Sequence, residues 1–337
     1  GMVILIPAMA VVGGSGMSLG AGRSEKLVSA KKRRMPIIAA NGILILLPMA
    51  FFLEAKASAG TFDTLFYVLQ GVELIAGATN LTLMGLNMRD GIRLTGRGSR
   101  ATSTKILGRE MVATDTLSLR LAKPTDFTFE PGQAIRLTIP AGTPDAAGEA
   151  RVLSIASAPH EADITVITRL RDSSVFKQAL KSMPYGAELQ IAGPLGNFTQ
   201  DEDRERPPVF LAGGIGITPF LSMIRDADHT GQLAKTSLFY SNRTPADSAM
   251  LKKLQDLDAA NSGFQLVATM SDVADRKDWS GETGWIDEDM LRRHLEDLTG
   301  RIYYCVGPAA FVSAMADVLT KAGVKKDDIR LEQFSGY

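Results

Sequence analysis

The sequence predicts three successive architectures: an α-helical membrane domain of about three spans, an antiparallel β-barrel, and an α/β domain built on a parallel sheet. Residues 1–92 carry three long apolar stretches. Residues 104–200 read as short, often alternating strands broken by Pro, Gly and Asp turns, the pattern of an antiparallel barrel or sandwich. Residues 207–337 alternate strands with helices, which argues a parallel sheet covered on both faces. A linker, 93–103, joins the first part to the second.

Residues 3–22 carry no charge, residues 37–53 are apolar apart from Asn41, and residues 61–88 are interrupted by Asp63, Gln70, Glu73, Asn80 and Asn87. Stretches of this length match a hydrocarbon core of roughly 30 Å at about 1.5 Å per helical residue. A soluble three-helix bundle is the alternative. Arg23, Lys26, Lys31, Lys32, Arg33 and Arg34 follow the first stretch, and Arg89, Arg93, Arg97 and Arg100 follow the third. An excess of cations on the cytoplasmic side then places the N-terminus outside, everything after residue 89 in the cytoplasm, and the chain as integral to the cytoplasmic membrane. Gly16 and Gly20 have the spacing of a close-packing helix face. Glu73, Asn80 and Asn87 recur every seven residues and so share a face. Either Glu73 bonds Asn41 as interhelical glue, or the face is a functional or partner site. Residues 93–103 read as a flexible segment near anionic headgroups.

The barrel strands are ILGREMVA, DTLSLRLA, AIRLTIP, RVLSIAS and DITVITRL, with one helix at 174–180. The polar run TQDEDRERPP, 199–208, is the boundary. Beyond it come VFLAGG, helix 219–226, TSLFYS, helix 246–258, FQLVATM, RIYYCVG, helix 309–322 and IRLEQF.

LAGGIGITPF, 211–220, is the centre of the last domain. An apolar strand turns on Gly213, Gly214 and Gly216, and Thr218 and Pro219 read as N-cap and first residue of a helix. Such a turn is either a tight strand-to-helix connection or an anion site, where free N–H groups and the helix dipole meet a ligand. Net charge is zero, so no nucleic-acid footprint is visible. One cysteine, Cys305, excludes an internal disulfide and a cysteine metal cluster, and the three histidines, His160, His229 and His294, have no metal-ligand spacing.

These motifs in this order resemble the ferredoxin–NADP reductase superfamily of flavoproteins, over residues 104–337. RVLS, 151–154, is similar to the family's Arg-x-aromatic-Ser/Thr flavin motif, with Leu153 where an aromatic ring is common. The resemblance implies FAD, with Arg151 on its pyrophosphate and Ser154 by flavin N5. A guanidinium fork suits phosphate oxygens. RDSSVF, 171–176, matches the family's turn before a helix, so Ser173 and Ser174 would offer a capped helix start to the FAD phosphates, and Thr168 joins the same set. GPLGNF, 193–198, is structural. GGIGITP would hold the pyrophosphate of NADP or NAD. In LFYSNRTPAD, 238–247, Ser241, Asn242 and Arg243 would meet the adenosine ribose, and with no acidic residue there to take a 2′-hydroxyl the expectation leans to NADPH. YYCVGPAAF, 303–311, is similar to the family's Cys-Gly-x-Pro-like segment, placing Cys305, Gly307 and Pro308 beside the nicotinamide. Glu332 and Phe334 match the terminal E-x-F. The implied catalytic cluster is Ser154, Cys305 and Glu332, with Tyr337 over the flavin face.

The implied activity is a membrane-anchored, FAD-dependent NAD(P)H oxidoreductase passing electrons to a separate acceptor. Residues 1–100 contain no histidine, so no haem is held there, and one cysteine cannot ligate an iron–sulfur cluster. The acceptor is therefore a ferredoxin-like protein, a membrane redox partner or a quinone. The competing class is a non-enzymatic membrane scaffold or redox sensor with a flavin module.

Overall fold

The computed structural model describes residues 26–95, 101–140, 148–201, 206–233, 235–272 and 279–334. Backbone contacts divide the chain into two units, a helical one within residues 1–97 and a second that holds residues 98–337.

The helical unit is an antiparallel pair. Its first arm is α1 (Lys26–Asn41), a π turn (Gly42–Leu46) and α2 (Leu47–Ser58), and its second is α3 (Thr64–Thr95). In the π turn the Leu47 N–H donates to the Gly42 carbonyl. Pro48 follows at once and has no N–H to give, so the ladder is already interrupted at this point. Asp63 opens α3, its carboxylate accepting from the Phe66 N–H at 2.9 Å and pairing with Lys56 Nζ at 2.6 Å. Between the arms the Asn41 amide donates to the Ala76 carbonyl and to Asn80 Oδ1, both at 2.9 Å, and Asn80 donates to the Ile38 carbonyl at 3.4 Å.

This pair buries polar groups alongside Ile38, Leu53, Phe66 and Ala76 and is apolar outside. Asn80 and Asp90 are buried in the seam, whereas Ile43, Leu44, Phe51, Leu74, Ile75 and Leu81 are more than half exposed. Asn41 is committed to Ala76 and Asn80, so the expected Asn41–Glu73 bond does not form. Among the described residues one helical stretch, Arg33–Ser58, is long and apolar enough to cross a membrane. The first expected span, with Gly16 and Gly20, lies outside the described residues. α3 falls short on composition, because Gln70, Glu73, Asn80 and Asn87 dilute its apolar residues.

The second unit begins with a six-stranded antiparallel sheet: β1 (Thr102–Ala113), β2 (Thr116–Ala122), β3 (Ala134–Thr138), β4 (Ala150–Ser154), β5 (Asp163–Arg169) and β6 (Glu188–Leu195), in the order β4-β3-β6-β1-β2-β5. A bridge between Ile155 and Val166 joins the two ends into a barrel. Alternation dictates its filling: Leu117, Leu119 and Leu121 of β2 are all buried against Ile135, Leu137, Ile164 and Val166. Helix α4 (Val175–Ser182) packs Phe176 and Leu180 onto the same core.

The α/β part is a parallel sheet: β7 (Pro208–Gly213), β8 (Thr236–Asn242), β9 (Phe264–Met270), β10 (Glu282–Thr283), β11 (Ile302–Pro308) and β12 (Ile329–Phe334), in the order β10-β9-β8-β7-β11-β12. Helices α5 (Ile217–His229), α6 (Leu251–Ala260), α7 (Glu288–His294) and α8 (Ala309–Lys321) make the crossovers. Every residue of β8 is buried, as expected of a strand covered on both faces. The strand order reverses at β7, whose neighbours are β8 and β11, and ligands bind at the carboxyl ends of strands at such a switch point. Helix α7 was not expected. At seven residues it has little periodicity to read, and its start is set by Asp287, which accepts from the Met290 N–H at 2.7 Å.

Leu119 has no exposed surface in the barrel core. Leu119→Ala should cost about 2–5 kcal/mol, the range for a buried leucine that leaves a cavity, read as a lower urea midpoint for barrel unfolding. A midpoint unchanged within error would contradict the closed barrel.

Candidate active site

The glycine turn follows β7 at the switch point. Gly214 has φ +56°, a conformation that favours glycine. A Cβ on Gly216 would lie 2.2 Å from the Val306 carbonyl oxygen of β11, so only glycine lets the two backbones pass. The 3₁₀ turn Gly214–Gly216 runs straight into α5. As a result Gly216 is the N-cap, and Thr218 is already helical: its hydroxyl donates to the Ile215 carbonyl at 3.1 Å instead of capping. The first N–H groups of this helix point out of the sheet's carboxyl edge with the positive end of the dipole.

β8 ends beside this turn. Gly213 of β7 is in register with Ser241, and Asn242 Oδ1 lies 4.0 Å from where a Gly214 side chain would begin. The Asn242 side-chain nitrogen is buried without a hydrogen-bond partner, a donor left for a ligand. Arg243 is exposed, with its guanidinium 3.6 Å from the Asp247 carboxylate, which also lies 3.6 Å from Arg169 of the barrel. An acidic residue therefore does stand after β8. The sequence reading missed it because the 3₁₀ turn Pro245–Asp247 folds it back on Arg243 across four positions.

A cleft lies between the barrel and the α/β sheet. Its walls include Leu153 and Ser154 from the end of β4, and Thr168 and Arg169 from the end of β5. Arg171 and Lys177 lead into and along α4, Ile215 and Thr218 come from the glycine turn, and Glu332 and Phe334 from β12. Ser154 and Glu332, far apart in sequence, thus face one space. Glu332 arrives there because Val306 of β11 pairs with it and β11 lies next to β7. Arg151 is not among the lining residues but precedes one of them, Val152, on β4; its guanidinium lies 4.9 Å from the Phe176 ring centroid and donates to the Gly148 and Ala150 carbonyls at 2.9 Å. Ser174 caps α4, accepting from the Lys177 N–H at 3.4 Å, and Ser173 is exposed in the turn before it. Arg169, Arg171, Lys177 and Ile215 were missed by sequence reasoning. A cation-rich segment following a strand, TRLRDSS, was the available signal.

Cys305 does not join this cleft. It is fully buried among Val209, Leu211, Phe239, Met315 and Leu319, on the opposite face of β11 from Val306. Side chains alternate along a strand, so the sulfur of Cys305 faces the core opposite to the one that takes Val306. Burial pushes its thiol well above the usual range. Burial likewise pushes Tyr304 up to about 12, while its hydroxyl accepts from the Asp201 N–H at 2.8 Å. Gly307 and Pro308 end β11 against the glycine turn, a Gly307 Cβ falling 3.2 Å from the Gly213 Cα. Tyr337 lies outside the described residues. Among the described residues no group of His, Cys, Asp and Glu has a metal-holding arrangement.

The donor set fits a flavin dinucleotide and a nicotinamide dinucleotide. Hydroxyls and cations line the cleft, a capped helix start and Arg151 flank it, and a glycine cradle with an orphaned amide donor adjoins it. The geometry defines a two-cofactor redox enzyme. Comparison with known proteins agrees. Residues 210–317 match the family model described as Oxidoreductase NAD-binding domain. The chain is 28% identical over 263 residues to the reductase component of propane 2-monooxygenase from Rhodococcus jostii (strain RHA1), covering 76% of this chain and 70% of that one. Among solved structures it resembles a cytochrome P450 reductase from Amycolatopsis, with TM-score 0.61, 23% identity, and 70% and 71% of the two chains covered. It also resembles a ferredoxin NADP+ reductase from Neisseria gonorrhoeae with bound FAD and NADP, with TM-score 0.59, 19% identity, and 70% and 99% covered. The fold is that of the ferredoxin–NADP reductase superfamily, and the chain is an FAD-dependent NAD(P)H oxidoreductase.

Two outcomes are expected. Gly216→Ala has no flexible neighbour to yield, since the obstructing atom is backbone, so it should displace the turn and weaken nucleotide binding at least about tenfold, a change of 1.4 kcal/mol. Equilibrium titration of NAD(P)+ checks this, with FAD content as the control. Cys305, buried and protonated, should resist iodoacetamide at pH 8 in the folded protein and react once urea unfolds it. Rapid labelling of the native chain would contradict its placement.

Proposed function

We propose that this protein is a membrane-anchored reductase that takes electrons from NAD(P)H and passes them to a separate acceptor. The observation that carries the reading is the meeting of Ser154, Glu332 and the glycine turn around one cleft at the sheet's switch point. When bound, FAD supplies the ability to accept electrons in pairs from a nicotinamide and to release them singly or in pairs. The chain's own groups bind and orient. Arg151 and the α4 N-terminus bind the flavin's pyrophosphate, with Ser173 and Ser174 in the turn and Thr168 at the cleft wall. Leu153 packs at the ring, and Ser154 holds a proton-sharing hydroxyl near it. Gly213, Gly214 and Gly216 receive the second pyrophosphate, while Gly307 and Pro308 back that turn. Ser241, Asn242 and Arg243 meet the adenosine ribose. Arg243 suits a 2′-phosphate and Asp247 a 2′-hydroxyl. Glu332 closes the nicotinamide side of the cleft.

The acceptor reading rests on chemistry and on likeness. The given residues hold one cysteine, short of a cluster ligand set, which supports an acceptor that is a ferredoxin-like protein, another redox protein or a quinone. The Rhodococcus relative is the reductase component of a monooxygenase, which supports an oxygenase-type partner. The anchor is the helical pair: its apolar outer surface and hydrogen-bonded seam suit hydrocarbon, where polar groups must be satisfied internally. Positive-inside orientation puts residues after Arg89 in the cytoplasm.

Ser154→Ala and Glu332→Ala should each slow flavin reduction by NAD(P)H about 10²-fold, the scale for losing a positioned polar group, with FAD still bound. Anaerobic single-turnover stopped flow measures it. Wild-type rates in Glu332→Ala would remove that residue from the reading.

A further inference from the structure

We propose that the basic end of the helical pair is a binding site for the phosphate headgroup of an anionic phospholipid. The proposal rests on reading that pair as a membrane anchor. α1 and α3 run antiparallel, so the cations of one helix's start meet those of the other's end. Arg34 Nη1 lies 2.6 Å from Asp90 Oδ2, and Arg89 lies 3.1 Å from Asp90 Oδ1. Arg34 also donates to Asn87 at 3.4 Å. Asp90 has no exposed surface and is the one carboxylate among the described residues of this end. It pins one guanidinium from each helix and keeps them together against their mutual repulsion.

Arg34 and Arg89 hold that single anion, Lys31 reaches across to Gly91 of the facing helix, and Arg33 is exposed one position before Arg34, so the described cations of this end outnumber its carboxylate. At Gly91 the Lys31 Nζ lies 3.2 Å from where a side chain would begin, so the ammonium occupies that space against the facing helix. A glycine within a helix is unfavourable relative to alanine, and here it lets the Lys31 ammonium approach the helix.

The surroundings separate a lipid from a free phosphate. Ile37 and Met88 are more than half exposed and Ile92 more than a third, directly beside Arg33, Arg34 and Arg89. A cationic cluster continuous with exposed apolar side chains matches a phosphate joined to acyl chains. A soluble anion would leave the apolar part uncovered. Basic clusters at the cytoplasmic end of membrane helices attract anionic headgroups by the same physics.

The test uses the full chain with FAD, purified in detergent and examined by native mass spectrometry and thermal scanning with added phosphatidylglycerol, phosphatidylcholine or inorganic phosphate. Phosphatidylglycerol should be retained about tenfold more than phosphatidylcholine and should raise the thermal midpoint, with no effect of inorganic phosphate. Lys31→Gln/Arg33→Gln/Arg89→Gln should abolish the preference, leaving Arg34–Asp90 to hold the helices. Gly91→Leu, which displaces the Lys31 ammonium while keeping every charge, should weaken it. Equal retention of the two lipids, full preference in the triple variant, or equal protection by inorganic phosphate would each overturn the proposal. Release of the chain from membranes by alkaline carbonate would overturn the anchor reading as well, whereas a chain that stays embedded without lipid preference overturns the lipid site alone.

Discussion

The close passage of the glycine turn over β11 is the constraint on which the site depends. Because Gly216 lies against the Val306 carbonyl, β7 and β11 can be neighbours and α5 can start between them. That contact sets where the helix N-terminus points and brings β12, paired to β11, alongside the turn with Glu332 in the cleft. A side chain of any size at Gly216 would push the turn away from all three.

The barrel is held against this arrangement by contacts that leave little freedom. Ser222 of α5 donates to the Ser157 carbonyl at 2.6 Å, with both residues buried. Arg225 reaches Glu161 at 3.3 Å, and on the other side Thr114 donates to the Ala246 carbonyl through both its backbone and its hydroxyl. Ser154 and Glu332 belong to different sheets, yet they are fixed relative to one another. Holding two reactants in near-attack geometry is the main service a protein gives to chemistry that resides in its cofactors.

Local signals made much of this legible. The glycine turn, the leucine alternation of β2 and the apolar run of β7 each declare themselves within a few residues. Features set by parity or by distant partners did not. Cys305 missed the cleft by one position on a strand, which is a change of face. Thr218 read as a cap because nothing local showed that the 3₁₀ turn would begin the helix sooner. Asp247 was overlooked because its role arises from a fold-back onto Arg243 and from Arg169 in the barrel. Asn41 has a partner in Asn80, not Glu73, because the register of two helices decides it and one sequence does not display that register. Ser154 and Glu332 were placed together by resemblance, and the pairing of Val306 with Glu332 gives the physical route by which β12 carries the carboxylate there.

The account's central claim is that one cleft holds a flavin within reach of a nicotinamide seated on the glycine turn. Anaerobic titration of the purified FAD-bound protein, following the visible flavin band, tests it most directly. Stepwise NADH or NADPH should bleach the band at about one nucleotide per flavin, as pairwise electron transfer between the two cofactors requires. A flavin band that persists under excess of both nucleotides would contradict the claim.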